Sequence, residues 1–204
     1  MKAVHAAILL FALVAVAICL PEITWPWYLF IPLSAYVGSL LFIPSLRRSL
    51  PRMKLGRCDL RTCGVALGYS VLTTGVLLAF QEVFQPDIAA MLARMPIAWL
   101  GGPLLAGLCF SLGNAILEEL IFRWSLYEAL AEEWGERLAV LFTAIMFGIG
   151  HFQGYPPGWV GACLAGGYGV GLGLLRWWTG GVALCVACHI CADATIFVIA
   201  LGNR

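Results

Sequence analysis

Apolar residues in this chain fall into long continuous runs instead of short alternating stretches. Seven runs can be drawn, at approximately 4–21, 25–45, 63–81, 98–128, 137–153, 158–177 and 181–201. Most approach the roughly 20 residues that a helix needs to cross the hydrocarbon core of a bilayer. The strands of a membrane barrel would instead alternate with period two over about ten residues. The pattern therefore predicts an all-α fold, a polytopic transmembrane bundle of about seven spans forming one integral membrane domain. Residues 1–97 supply the N-terminal spans and a connector, and residues 98–201 the later helices.

The polar positions between the runs orient this bundle. Arg47, Arg48, Arg52, Lys54, Arg57 and Arg61 are half of the 12 Lys and Arg residues and lie between the second and third runs. Basic loops stay on the cytoplasmic side, so loop 46–62 and the N-terminus are expected inside and the C-terminus outside. Segment 82–97, with Glu82, Asp87, Arg94 and two prolines, reads as a non-spanning connector or interfacial helix. Tryptophans 25, 27, 99, 134, 159, 177 and 178 lie near run ends, where an aromatic belt forms. The first run also has a signal-peptide layout, with Lys2 before it and Ala15 and Ala17 near its end. No polar mature segment follows, so it is read as a retained helix. Glycines 167 and 171, and 169 and 173, are spaced four apart in the sixth run. That spacing bares a helix face for close packing, or for a groove that admits substrate.

Composition strengthens the membrane reading. The chain of 204 residues is 62% hydrophobic and 11% charged, against about 25% charged in ordinary soluble domains. So much apolar surface cannot be hidden in a soluble core of this size, and the partner it implies is the lipid bilayer. A net charge of +1 gives no ground for a nucleic-acid partner. The eight cysteines lie mostly in apolar runs and read as packing residues. Cys185-Val186-Ala187-Cys188-His189 matches the c-type haem pattern but sits within an apolar run, where attachment chemistry has no access. Consecutive residues of one straight helix also cannot surround a zinc ion tetrahedrally.

Six ionisable residues lie deep in the runs: Glu118, Glu119, Arg123, His151, His189 and Asp193. Each is costly in hydrocarbon, so such a residue marks a functional site or a buried packing pair. At 100° per residue, Arg123 lies about 40° from Glu119 and about 140° from Glu118. Arg123 is thus the expected ion-pair partner of Glu119, and Glu118 is left for chemistry. Asn114, one turn before Glu118, is placed to hydrogen-bond it. With a bend at Gly135, Glu118 and His151 both lie roughly 25 Å from the turn on antiparallel helices. His189 follows the expected bend at Gly180 by nine residues, with Asp193 one turn further on the same face.

Three pieces in this order, Glu118-Glu119-x-x-x-Arg123, Phe147-x-x-x-His151 and His189-x-x-x-Asp193, resemble the CPBP family. These are the CAAX-protease and bacteriocin-processing intramembrane proteases, related to the eukaryotic Ras-converting CAAX endopeptidase. The resemblance covers about residues 98–201. It implies an intramembrane endopeptidase of the glutamic type, in a bacterial inner membrane, acting on a membrane-anchored or lipidated peptide or protein. By the same resemblance Glu118 and His151 activate a water, while His189 and Asp193 serve the oxyanion. Glu119 and Arg123 complete the first motif, and Phe147 packs against the His151 ring. The chain has Asp193 where eukaryotic relatives have Asn. An ionised carboxylate repels an oxyanion, so Asp193 acts either as a neutral acid or by orienting His189, and orientation is favoured.

Rival readings remain at this stage. A zinc-dependent variant would use Glu118, His151 and His189 as ligands with water in the open position; the metal-free reaction, with no cofactor, is preferred. A cysteine protease is disfavoured because Cys188 points about 100° from His189 on a straight helix. A small transporter or ion-binding protein would also use buried carboxylates, but it leaves the histidines and the three-part pattern unexplained. An inactive interaction protein is disfavoured because every proposed catalytic position is occupied.

Overall fold

The computed structural model describes residues 2–20, 27–50, 52–87 and 102–202. All regular secondary structure among them is helical, as the unbroken apolar runs require. The elements are α1 (Lys2–Cys19), α2 (Trp27–Phe42), α3 (Pro44–Arg48) and α4 (Leu60–Phe84). There follow α5 (Pro103–Glu119), a π-helical turn (Leu120–Leu126), α6 (Tyr127–Trp134), α7 (Glu136–Gly150), α8 (Gly158–Thr179) and α9 (Ala183–Gly202). Among the described residues, four stretches are long and apolar enough to cross a membrane: Leu60–Phe84, Pro103–Trp134, Gly158–Thr179 and Ala183–Gly202. Ala7–Val16 and Phe30–Phe42 are shorter apolar helical segments. The chain is an integral membrane protein in which every run drawn from the sequence contains helix.

The boundaries differ from the expected ones in three places. The fourth run continues to Trp134 through the π-turn instead of ending near residue 128. The fifth stops at Gly150, because the backbone of His151 leaves the helix at φ −92°, ψ 6°. His151 therefore caps a helix end and is not embedded in a span. Glu82, assigned from sequence to the connector, belongs to α4, which closes with Gln85 in the left-handed region at φ 41°. Connector residues 88–97 lie outside the described residues.

Local chemistry explains the helix ends that set the topology. Asp59 caps α4: its carboxylate accepts from the Thr62 amide at 2.8 Å, and its own amide donates to the Thr62 hydroxyl at 2.9 Å, a reciprocal capping box. Gly180 ends α8 in the left-handed conformation at φ 76°, which glycine adopts without steric penalty. The basic loop is tied to this turn by its backbone. The amides of Val182 and Ala183 donate to the carbonyls of Lys54 and Leu55 at 3.0 Å, and Arg57 donates to Thr179 at 2.9 Å. A Cβ on Gly181 would lie 2.0 Å from the Gly56 amide nitrogen, so the two backbones can meet only as glycines. α4 and α9 consequently start from the same end and run parallel.

The remaining helices pair as antiparallel neighbours. α5 lies against α9, with Phe197 over Gly107 near one end and Asn114 beside Asp193. α7 lies along α8: Gly173 faces Val140, Gly169 faces Ala144, and Gly166 faces Gly148. The glycine run therefore serves packing on this face, as small residues do in membranes. Gly171 faces the Tyr69 ring of α4, whereas a Cβ on Gly167 would meet nothing within 4 Å. α1 covers the π-turn and α6, burying Leu9 with Ile121, Phe122 and Leu126. His5 is buried there, within hydrogen-bond distance of the Tyr36 hydroxyl (2.9 Å) and the Ser49 hydroxyl (3.0 Å).

Gly148 tests this packing. A Cβ there would lie 2.6 Å from the Ala162 carbonyl oxygen, whereas one at Gly113 would meet nothing within 4 Å. Thermal unfolding in detergent should show Gly148→Ala lowered by about 3 °C or more, through overpacking. Gly113→Ala should be unchanged or slightly raised, since alanine favours the helix.

Candidate active site

The site begins with two glutamates that end α5. Glu118 and Glu119 are both buried, Glu119 completely, yet they meet different surroundings because successive helical residues point about 100° apart. Glu119 Oε1 accepts from Arg123 Nη1 at 3.0 Å and lies 2.8 Å from His189 Nδ1. The expected pair with Arg123 is present, and His189 is a second partner that helix phase within one segment could not reveal. Arg123 also donates from Nη2 to the Gly169 carbonyl at 3.2 Å, and its guanidinium lies 4.5 Å from the Phe147 ring centroid. One fully buried arginine thus links the π-turn, α7 and α8.

Glu118 turns toward the histidines. Its Oε2 lies 3.5 Å from His151 Nε2 and 3.7 Å from His189 Nε2. The matched depth inferred from the Gly135 bend is therefore met in space. His151 Nδ1 lies 2.7 Å from the Phe147 carbonyl oxygen, which can only accept, so Nδ1 carries the proton. Nε2 is then the nitrogen presented to Glu118. Phe147 lies against His151 at 4.1 Å between ring centroids, as its position one turn earlier implied. His151 retains 24% side-chain exposure, against 3% for His189, so it forms the more open side of the site.

The last motif is arranged otherwise than expected. Asn114, assigned to Glu118, donates from Nδ2 to Asp193 Oδ2 at 3.1 Å. Asp193 Oδ1 stands 3.8 Å from His189 Nε2, beyond hydrogen-bonding range. The His189 ring is oriented by Glu119 at Nδ1, and Asp193 is held by Asn114. Among the described residues, no group of three His, Cys, Asp or Glu side chains is arranged to hold a metal ion. Cys185 and Cys188 are buried free thiols in α9, with Sγ directed at the carbonyls of Leu172 and Ala66 (each 3.4 Å).

Two contributors were missed in the sequence. Arg176 is the lone charged residue of α8, beside Trp177 and Trp178. It is buried, donates from Nε to the Arg123 carbonyl at 3.0 Å, and pairs with Glu128. It thereby supports the π-turn from behind; π-turns inside α-helices occur often at functional sites. Tyr168 was counted as an apolar span residue. Its ring stands edge-on to His189 at 5.9 Å and stacks on Tyr69 at 5.4 Å.

A cavity of about 320 Å³ opens beside these groups, lined by His151, His189 and Asp193. Its remaining wall is largely apolar, with Leu72, Val76 and Leu77 from α4, Leu164 from α8 and Ile196 from α9. Such a space, mostly apolar with a few convergent polar groups, is suited to an apolar ligand presented to acid–base chemistry.

Comparison with known families adds an independent line. Residues 100–195, just under half of the chain, match the model of the Rce1-like family, described as type II CAAX prenyl endopeptidase Rce1-like. No curated protein and no solved structure matches the chain. The matched stretch contains all three motifs.

The asymmetry of the glutamates has a measurable consequence. Glu119→Gln removes the charge that balances buried Arg123, and breaking such a pair costs about 3 kcal/mol or more. Its unfolding midpoint in detergent should fall clearly below wild type. Glu118→Gln, which leaves the Glu119–Arg123 pair in place, should unfold close to the wild-type midpoint.

Proposed function

We propose that this chain, whose residues 100–195 match the model of the Rce1-like family of CAAX endopeptidases, hydrolyses a peptide bond of a membrane-anchored or lipidated substrate by direct attack of water. The observation that carries this reading is the meeting of Glu118 Oε2 with the Nε2 atoms of His151 and His189, at 3.5 and 3.7 Å, beside a largely apolar cavity. Its glutamic character rests on these groups.

Glu118 is the general base. A water between Glu118 and the more open His151 surrenders its proton to the carboxylate as the oxygen attacks the scissile carbonyl. His189, fixed at Nδ1 by Glu119, donates from Nε2 to the developing oxyanion when that nitrogen bears a proton. The proton held by Glu118 then passes to the leaving amine. Glu119 and Arg123 keep His189 in register, and Asn114 keeps the Asp193 carboxylate turned toward itself. No side chain becomes acylated in this scheme, and no cofactor is invoked. The apolar walls suit a lipid-linked or hydrophobic segment, in keeping with the family description of a CAAX prenyl endopeptidase.

Purified protein in detergent, given a quenched fluorescent peptide ending in a farnesylated C-a-a-X sequence, tests the reading. Glu118→Gln should lose about 10³-fold in kcat, within the range for a positioned general base, and Asp193→Asn should keep substantial activity. Activity should survive a strong chelator; loss on chelation with recovery on added zinc would instead favour the metal-dependent reaction. Cleavage by Glu118→Gln at the wild-type rate would contradict the proposal, and the buried carboxylates would then fit an ion-binding or transport role better.

A further inference from the structure

Among the described residues, four that carry a side-chain hydroxyl line the cavity: Tyr69, Thr73, Tyr155 and Tyr168. Three are committed to protein acceptors. Tyr69 donates to the Tyr168 carbonyl at 2.7 Å, Thr73 to the Tyr69 carbonyl at 2.9 Å, and Tyr155 to Gln81 Oε1 at 2.7 Å. The Tyr168 hydroxyl is buried and has no hydrogen-bond partner among the described residues. Buried tyrosine hydroxyls ordinarily find a partner, because an unmade bond forfeits the hydration given up on burial.

The position of Tyr168 is well held. Its ring stacks on Tyr69 at 5.4 Å with an interplanar angle of 8°, meets His189 edge-on at 5.9 Å, and lies 6.4 Å from Phe147. Tyr69 fixes the backbone of the same residue through its carbonyl. Next in sequence, Gly169 is bound by Arg123, so the buried charge network also sets where Tyr168 stands. The phenol therefore stands beside the imidazole assigned to the oxyanion, on the wall of the space a substrate would enter.

Asp193 is committed to another partner: its Oδ2 accepts from Asn114. We propose that the Tyr168 hydroxyl is a catalytic hydrogen-bond donor to the scissile carbonyl oxygen, sharing the developing charge with His189. This rests on the endopeptidase reading above and adds to it a residue that the three motifs do not contain. No covalent step is involved: the phenol donates a hydrogen bond and keeps its proton.

Tyr168→Phe removes the hydroxyl and keeps the ring. Measured on the farnesylated C-a-a-X peptide with the full chain in detergent, kcat should fall about 10²-fold or more, as expected for one lost oxyanion donor. KM should stay within about threefold, because the bond strengthens in the transition state. The unfolding midpoint should equal or exceed that of wild type, since no bond within the protein is lost. Wild-type kcat in Tyr168→Phe, with Glu118→Gln inactive, would overturn this inference and leave the proposed function intact. A change confined to KM, or a clear fall in the unfolding midpoint, would likewise overturn it, making the hydroxyl a ground-state or structural contact. Wild-type cleavage by Glu118→Gln would overturn both.

Discussion

A single carboxylate oxygen organises the centre of this molecule. Glu119 Oε1 receives Arg123 from its own helix and faces His189 across the bundle, at 3.0 and 2.8 Å. Arg123 and Glu119 have no solvent exposure, so neither charge can be left to water. An unpaired buried ion is far costlier than a paired one, and the helices must pack in the register that completes the pair. Because the same guanidinium reaches Gly169 and covers the Phe147 ring, the requirement extends from α5 to α7, α8 and α9. A shift of any one of these helices would break at least one of those contacts.

Function builds on that restraint. With Glu119 spent on structure, the adjacent Glu118 is turned toward two imidazole nitrogens, one held through Phe147 and the other through Glu119 itself. Two identical side chains one residue apart thus acquire different work from the angle between them. The π-turn begins immediately after this pair, and Arg176 from α8 bonds the Arg123 carbonyl inside it. The irregular backbone is therefore supported by protein groups, as membrane-embedded chains require where helical bonding is interrupted. The apolar cavity completes the division between a charged, rigid floor and a wall suited to hydrophobic substrate.

Much of this was legible in the sequence because helix periodicity is strong where apolar runs are long. The helices, the Glu119–Arg123 pair and the shared depth of Glu118 and His151 all follow from rise, twist and the bend at Gly135. Contacts between distant helices were less accessible. Asn114 was assigned to Glu118 by one-helix geometry, but α9 brings Asp193 to its amide. Asp193 was assigned to orient His189, but Glu119 meets the ring at Nδ1, while Asp193 Oδ1 stands 3.8 Å from Nε2. The π-turn left no compositional mark, and the helix end before His151 falls in an apolar Gly-rich stretch that reads as continuing. Tyr168 and Arg176 fall within the sixth apolar run and outside the three motifs, so their contacts with other helices left no mark in the sequence.

The central claim is that Glu118 supplies the base while Glu119 supplies the frame, and chemical rescue tests it most directly. Cleavage of the farnesylated C-a-a-X peptide by Glu118→Ala would be measured with and without added formate, a small carboxylate able to occupy the truncated position. The account predicts activity about 10³-fold below wild type without formate, and partial recovery that rises with formate concentration. Wild-type cleavage by Glu118→Ala in the absence of formate would contradict it.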